Sequence, residues 1–257
     1  MRSTINKIII YQIFSILVIK AQATDDFIRV AFELGCFSYS QFKYHNHVTE
    51  HKSSAPNNLD SFVRNKLLWN QKNRINAKKY SDFLLYGVVL GSLPIIPKTT
   101  NEDYKKYLLI QLEILSINGL ITNFTKNTFD RQRPYSYYGI NKNDKDSFKS
   151  FYSGHTSTSF ALAISSAKIL SEYTELNKKF IWCGTLGIAS ATGYFRIAAD
   201  KHYFTDIIAG AVIGSLIGHF TYQKLHNKYF SRTQSNTFSI WKNLGYTNNK
   251  IKIIIPI

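Results

Sequence analysis

Residues 193–210 read GYFRIAADKHYFTDIIAG and lead into an apolar stretch that continues to residue 222. Glycine recurs every four residues, at Gly210, Gly214 and Gly218, on a row that begins with His202. Residues four apart share one face of an α-helix, and a face of small residues lets a second helix approach closely. A helix-dimer face in a membrane and packing within the chain would both explain the row. We favour internal packing, because the row begins at a polar residue.

His202 and Asp206 have the spacing of a carboxylate and an imidazole that interact on one helix face. A carboxylate in that position accepts the Nδ1–H and leaves Nε2 unprotonated, which makes the ring a nucleophile. Such a pair alone is commonly a surface contact. Arg196, six residues before His202, favours a site instead, because a guanidinium grips anionic oxygens with two parallel hydrogen bonds.

Residues 150–158 read SFYSGHTST and stand just before an apolar stretch, 160–169. Hydroxyls ahead of an apolar run predict a helix N-terminus, where exposed N–H groups and the helix dipole attract anions. Gly154 would let the backbone approach a phosphate, and Ser153 offers N–H and hydroxyl donors. His155 would stand beside them as a proton donor. A capped helix with a surface histidine is the ordinary alternative.

Lys126 and Arg133 lie seven residues apart, which is about two helical turns. On a helix they would project from nearly the same face, and Pro134 is predicted to end that helix. Arg133 would then lie at a helix end and face a pocket. The alternative is that Lys126 pairs with Asp130 on a solvated face.

Together the three motifs resemble the signature of the type 2 phosphatidic acid phosphatase superfamily, whose members share an active-site plan with vanadium haloperoxidases. They are Lys-x6-Arg-Pro, Ser-Gly-His and Arg-x5-His-x3-Asp, and the resemblance covers about residues 105 to 222. Two positions depart from the pattern. Tyr152 stands where a proline normally precedes Ser-Gly-His, and Phe195 stands where a serine normally precedes the arginine. Neither change removes a group with a named role, so the reaction class is expected to be intact.

The resemblance implies a metal-independent phosphatase that uses no cofactor. His202 would attack phosphorus and form a phosphohistidine, while Asp206 would fix the tautomer of His202. His155 would protonate the leaving oxygen and later activate water. The phosphate would be bound by the remaining motif residues: Lys126, Arg133, Ser153, Gly154 and Arg196.

The expected substrate is a phosphomonoester or diphosphate, either a small molecule or a phosphorylated lipid such as phosphatidic acid, polyprenyl diphosphate or lipid A phosphate. A vanadate-dependent haloperoxidase is one alternative, since vanadate bound to His202 would resemble the transition state of phosphoryl transfer. A catalytically weak phosphate-binding protein is another, if the changes at Tyr152 and Phe195 have cost activity.

The fold is predicted to be all-α, a bundle of about five to six core helices. Apolar stretches at residues 83–93, 107–124, 156–170, 180–195 and 204–222 carry five of them. We divide the chain into residues 1–23, 24–75, 76–230 and 231–257. These are a signal peptide, an N-terminal helical and loop segment, the phosphatase core and a tail. In the tail, residues 238–241 and 251–257 are strand-like and are expected to form a small hairpin.

The first residues have the features of a secretory signal: Arg2 and Lys7, an apolar run over 8–19, and an Ala-x-Ala site ending at Ala23. The sequence therefore predicts a chain exported across the inner membrane to the periplasm. Removing residues 1–23 leaves 29 basic and 16 acidic residues, a net charge of +13. This charge favours phosphate esters and anionic membrane surfaces as partners. Without a recognisable nucleic-acid motif, we expect no nucleic-acid partner.

Whether the helices cross a membrane decides how substrate arrives. Every uncharged run is shorter than the roughly 20 residues that a spanning helix needs, and the mean hydropathy is −0.17. The sequence alone therefore favours a soluble or membrane-associated bundle over an integral one. Cys36 and Cys183 could pair after export or remain thiols. His45, His47 and His51 have a spacing that would suit a metal, but unpartnered loop histidines are favoured.

Overall fold

The computed structural model describes residues 25–46, 55–140, 144, 146–231, 244–247 and 250–253. Helices dominate these residues, so the predicted all-α class is confirmed. In chain order the helices are α1 (Asp25–Asn46), α2 (Asn58–Leu67), α3 (Arg74–Leu90), α4 (Tyr104–Thr128), α5 (Pro134–Tyr137), α6 (Gly154–Tyr173), α7 (Lys178–Ala198) and α8 (Phe204–His226). A π-helical turn, Gly91–Ile95, and a 3-10 segment, Ile96–Asp103, join α3 to α4, and Asn227–Ser231 forms a second π turn.

Helix α6 is the centre of the bundle, and α3, α4, α7 and α8 all contact it, while α1 packs along α4. The core side chains come mainly from α4, α6 and α8, and they include Ile110, Ile114, Leu162, Ile169 and Leu225. Each predicted apolar stretch lies on its own helix, except that the first runs three residues past α3 into the π turn. The apolar stretches therefore located the helices correctly, although those on α3 and α7 leave large apolar side chains such as Phe83 and Phe180 exposed.

The glycine face of α8 packs against the backbone of α6. A Cβ atom at Gly210 would come 2.7 Å from the carbonyl oxygen of Ser153, and one at Gly214 or Gly218 would collide with the next carbonyls along α6. The predicted internal packing is confirmed. The opposite face of α8 carries exposed apolar side chains, again four residues apart: Ile208, Val212, Leu216 and Phe220.

One end of the bundle gathers four helix termini. Helices α6 and α8 begin there, and α4 and α7 end there. Helix α2 and the segment before α3 lie over this end. The guanidinium of Arg64 donates two hydrogen bonds, of 2.7 and 2.8 Å, to Asp200, and the backbone N–H of Trp69 donates to the carbonyl of Ala198. Two helix N-termini thus face two helix C-termini beneath a cover from the N-terminal part of the chain.

The tail contains an antiparallel hairpin between β1 (Leu244–Thr247) and β2 (Lys250–Ile253). The predicted second strand, 251–257, overlaps β2, but its partner is 244–247 rather than 238–241, which lies outside the described residues. Only two residues separate β1 from β2 in sequence, the commonest length for a hairpin connection. The predicted signal peptide also lies outside the described residues.

Three helical segments among the described residues are long and apolar enough to cross a membrane, judged by length and composition: Arg74–Asn101, Tyr104–Thr128 and Phe204–Phe230. In the first and the last, 22% and 28% of the most apolar window is buried inside the protein. Most of their apolar surface therefore faces outward. The sequence argument for a bundle that does not cross a membrane counted uncharged runs, and these helices are longer than those runs because charged residues at their ends continue them.

Candidate active site

The eight residues predicted for the site meet at the end of the bundle where the four helix termini gather. Each comes from a terminus or from a loop beside one. Lys126 lies in the last turn of α4, Arg133 precedes α5, Ser153, Gly154 and His155 start α6, Arg196 lies in the last turn of α7, and His202 and Asp206 flank the start of α8. All of them except Gly154 and His155 are buried.

Ser153 is the N-cap of α6, and its hydroxyl oxygen accepts hydrogen bonds from the backbone N–H and the hydroxyl of Thr156. A Cβ atom on Gly154 would lie 3.0 Å from the methyl of Thr122 and 4.0 Å from Nζ of Lys126. Glycine therefore lets α4 bring an ammonium group against the first turn of α6. Free N–H groups, the helix dipole and this ammonium together favour an anion.

Three buried cations surround this turn. Lys126, Arg133 and Arg196 have 8%, 6% and 4% of their surface exposed. The Nε atoms of Arg133 and Arg196 are buried without a hydrogen-bond partner among the described residues. Burying charged donors without partners is costly, so this arrangement is typical of a pocket that is completed by an anionic ligand.

The prediction that Pro134 ends a helix carrying Lys126 and Arg133 is wrong. Helix α4 ends at Thr128, and Pro134 is the first residue of α5. Proline suits the first helical position, because the N–H it lacks would have no partner there. Arg133 has an extended backbone, and its N–H donates to the carbonyl of Ser147 at 2.6 Å. The two cations therefore meet from separate elements rather than from one helix face.

The predicted hydrogen bond between His202 and Asp206 is also wrong. His202 precedes α8, and its Nδ1 lies 2.8 Å from the carbonyl oxygen of Ser150, whereas the nearest carboxylate oxygen of Asp206 is 3.7 Å away. A carbonyl only accepts, so Nδ1 carries the proton and Nε2 is left with its lone pair. The predicted tautomer thus arises from a different partner. Burial, followed by the charges of Arg133, Lys126 and Arg196, holds the pKa of His202 well below its usual value, which keeps the ring neutral.

Asp206 organises the loops around His202. One carboxylate oxygen accepts from the hydroxyl of Ser150 at 2.6 Å and from the backbone N–H of Tyr203 at 2.9 Å, and the other accepts from Arg131 at 2.5 Å. Because Ser150 also supplies the carbonyl that holds His202, Asp206 positions His202 indirectly, through Ser150.

Sequence reasoning missed two residues of this network, Arg131 and Asp60. The guanidinium of Arg131 bridges Asp206 to Asp60, which is fully buried and also accepts from the backbone N–H and hydroxyl of Thr205. Arg131 stands two residues before Arg133, and this closeness to a motif residue is only a weak sequence signal that Arg131 belongs to the site. Asp60 lies at the start of α2, 71 residues before its arginine partner in sequence, and no local motif identifies it.

A third missed residue, Asp82 of α3, contacts His155. Its Oδ1 lies 2.9 Å from Nε2 of His155 and 3.4 Å from Nη1 of Arg196, while Oδ2 accepts from Lys78 at 2.7 Å. Burial and the charge of Arg196 lower the pKa of His155 to about 4, and Asp82 opposes this shift. The sequence does hold one signal, since Asp82 is the single acidic residue between positions 61 and 101.

The two departures from the family pattern have structural roles of their own. Tyr152 is fully buried, and its hydroxyl lies 3.2 Å from that of Thr122. The ring of Phe195 contacts those of Trp69 and Tyr80, with centroids 5.7 and 5.4 Å apart. Phe195 thereby joins the end of α7 to α3, the helix that carries the carboxylate beside His155.

No group of three or more His, Cys, Asp and Glu side chains that could hold a metal ion occurs in the part of the chain that the structure describes. The side chains of His45, His47 and His51 lie outside that part. Cys36 and Cys183 are free thiols, and Cys183 is exposed.

Comparisons with known proteins bear on the family resemblance. Residues 107–230 match the family model of the PAP2 superfamily, which confirms the resemblance drawn from the three motifs. The chain is 29% identical to the lipid A 1-phosphatase of Porphyromonas gingivalis over 127 residues, 49% of this chain and 25% of that protein. It is also 29% identical to the lipid A 4'-phosphatase of the same organism, over 49% of this chain and 53% of that protein.

A non-specific acid phosphatase from Providencia stuartii is 28% identical over 62% of this chain and 64% of its own length. The chain thus spans between a quarter and about two thirds of these three relatives. Asp60, Asp82 and the cover over the site all precede the residues that match the family model.

Proposed function

We propose that this chain, whose residues 107–230 match the PAP2 superfamily, is a metal-independent phosphatase that acts through a phosphohistidine on a lipid-linked phosphomonoester or diphosphate. The observation that carries the proposal is the set of three buried cations, two with unpartnered Nε atoms, around a neutral imidazole. Phosphoryl transfer spreads negative charge over the equatorial oxygens, so fixed positive charge in a buried site stabilises its transition state.

In the first step, Nε2 of His202 attacks phosphorus while the bond to the leaving oxygen breaks, and His155 gives that oxygen a proton. The product alcohol departs, or a phosphomonoester in the case of a diphosphate substrate. In the second step, neutral His155 takes a proton from water as the water oxygen attacks the phosphohistidine. The phosphorus–nitrogen bond then breaks, inorganic phosphate leaves, and both histidines return to their starting protonation states.

A lipid-linked substrate is supported by the surface of the protein and by the names of its relatives. Apolar side chains face outward along α3, α7 and α8, and three segments are long enough to cross a bilayer. Exposed apolar side chains in such number are typical of a protein that faces a membrane or a partner protein, and the length of the three segments favours the membrane. Two of the relatives are named lipid A phosphatases. We therefore place the bundle in a membrane, with its site at one end near the headgroups, on the periplasmic side that the signal sequence predicts.

The test measures phosphate release by the purified full chain in detergent, after dialysis and in excess chelator. The substrates are phosphatidic acid, a polyprenyl diphosphate, a lipid A phosphate and soluble 4-nitrophenyl phosphate. Turnover is expected to persist without divalent metal, because three cations already supply the charge that a metal would bring, and to be faster on lipid than on soluble esters. His202→Ala protein prepared in parallel controls for contaminating phosphatases.

Turnover that disappears in chelator and returns only with magnesium or zinc would contradict the metal-independent mechanism. Adding vanadate, bromide and peroxide to the same preparation tests the haloperoxidase alternative. Preference for the soluble ester over every lipid would contradict the substrate class alone.

A further inference from the structure

Asp82 contacts two groups that have separate roles in the proposed mechanism. Its Oδ1 contacts His155, the proposed acid, at 2.9 Å and Arg196, a proposed phosphate ligand, at 3.4 Å. Lys78, one turn earlier on α3, holds the other carboxylate oxygen at 2.7 Å. No motif or family match includes Asp82, since the matched segment begins at residue 107. A carboxylate beside a phosphate site repels the substrate, so its presence there needs a compensating benefit.

We propose that Asp82 is the positioning residue for His155, which it orients and whose protonated form it stabilises as the leaving group departs, at some cost in phosphate binding. The inference rests on the proposed function. A carboxylate that accepts from Nε2 of His155 leaves Nδ1 as the nitrogen that gives its proton to the leaving oxygen and later takes one from water. The Nε2–H stays on the ring through both steps, and Nδ1 regains from water the proton that it gave to the leaving oxygen, so His155 ends as it began.

The surroundings explain why such a partner is needed. His155 shares the site with the buried cations Arg196 and Lys126, and both disfavour an imidazolium. Asp82 is the carboxylate whose hydrogen bond and charge oppose them. In the free protein burial and the cations prevail, and the ring is neutral at pH 7. When an anionic phosphate binds and offsets these cations, the hydrogen bond to Asp82 favours the protonated ring that an alkoxide leaving group needs. The same carboxylate competes with a phosphate for the guanidinium of Arg196.

The fold holds Asp82 in place from several sides. Tyr80, two residues earlier, packs on Phe195 and Trp69, so the substitution that replaces the usual family serine anchors α3 close to this carboxylate. Farther along the chain, the hydroxyl of Ser166 on α6 donates to that of Ser92 in the π turn that follows α3. Helix α3 is therefore fixed to α7 and α6 at two separate points.

The experiment compares Asp82→Asn with wild type on two soluble esters, a primary alkyl phosphate and 4-nitrophenyl phosphate, whose leaving group hardly needs a proton. With the alkyl ester, kcat is expected to fall about 10–100-fold, because the variant loses part of the contribution that a general acid makes. With the nitrophenyl ester, kcat should change less than about 3-fold, and KM should fall, since the competing charge is gone. Asp103→Asn is the matched control, because Asp103 also pairs with a lysine on the surface, at the far end of the bundle.

Asp82→Glu separates position from charge and should recover part of the alkyl-ester rate. Equal loss of kcat on both esters would mean that Asp82 only supports the fold, and no loss on either would mean that His155 does not depend on it; both outcomes overturn the inference and leave the proposed function standing. Failure of wild type to hydrolyse these esters and every lipid phosphate of the panel above, while the protein is folded and monodisperse, would overturn the proposed function and the inference with it.

Discussion

His202 and His155 are held in different ways, although both lie at helix N-termini in one site. The side chain of His202 is 1% exposed and is fixed by a backbone carbonyl, whereas that of His155 is 29% exposed and is fixed by a carboxylate on another helix. The groups around His202 lie mostly within the segment that matches the family. The partner of His155 lies before it. The proposed nucleophile is thus supported mainly from within the matched segment, and the proposed acid from a part of the chain that precedes it.

The largest effect should come from His202→Ala, which removes the proposed nucleophile. We expect a loss of at least about 1,000-fold in kcat and no phosphoenzyme, because no other group takes over covalent catalysis. The measurement is acid-labile, base-stable labelling by a phosphate-labelled substrate. His219→Ala, an exposed residue of α8, is the control and should label like wild type. Equal labelling of His202→Ala and wild type would place the nucleophile elsewhere.

His155→Ala should have a smaller effect that depends on the substrate. With an alkyl or lipid phosphate we expect kcat to fall about 100–1,000-fold, since a proton donor is lost. With 4-nitrophenyl phosphate, some phosphohistidine should still accumulate, because His202 remains and the leaving group needs no proton. If both substrates lose activity by the same factor, the two histidines do not divide the chemistry as proposed.

Vanadate should inhibit competitively. Arg196→Lys should raise the inhibition constant for vanadate about 10–100-fold, which corresponds to the loss of one or two charge-assisted hydrogen bonds. A lysine cannot reproduce the planar, two-point grip of a guanidinium. Lys126→Arg should weaken inhibition less, because Lys126 acts as a point charge. The measurement is the inhibition constant for the three proteins. Equal weakening, or a wild type that vanadate does not inhibit, would show that the cations do not converge on one phosphate.

The smallest effect concerns stability against pH. Both histidines have a lowered pKa in the folded protein, to about 4 for His155 and well below the usual value for His202. Between these values and about 6.5 the unfolded chain binds protons that the folded chain does not, so stability is lost as the pH falls below about 6.5. Each histidine contributes up to about 1.4 kcal/mol per pH unit.

Thermal unfolding of wild type and His202→Gln between pH 7.5 and 4.5 tests this expectation, because the carboxylates titrate in both proteins and cancel in the difference. The variant should lose less stability on acidification than wild type. A slope that does not change in His202→Gln would mean that His202 is already charged in the folded protein.

Periodic apolar stretches predicted the core helices, and three short motifs predicted eight residues that the structure brings together. These signals succeed because they depend on local chain geometry: helix repeat, capping and a glycine at a close contact. The partners were harder to predict. Pro134 begins a helix rather than ending one, and His202 bonds to the carbonyl of Ser150 because loop conformation, not helical spacing, decides which acceptor is near.

The missed residues are distant in sequence. Asp60 meets Arg131 across 71 positions, and Asp82 meets His155 across 73. Such pairs are set by how α2 and α3 lie on the bundle, which no short-range pattern encodes. An isolated acidic residue just before an apolar stretch, as at Asp82, is a useful hint, because burying a carboxylate without a cationic or hydrogen-bonding partner is too costly to be retained.

The contact between the glycine face of α8 and the carbonyls of α6 has a mechanical consequence. Backbone rests on backbone along three turns, and the N–H of Ser153 donates to the carbonyl of Asp206 at 3.1 Å. Neither helix can slide past the other without steric collision, so the proposed phosphate-binding turn and the proposed nucleophile move as one rigid body. Helix α2 meets the site through the side chains of Asp60 and Arg64, whereas α3 is fixed to α6 and α7, so we expect any opening that admits a bulky substrate to come from α2.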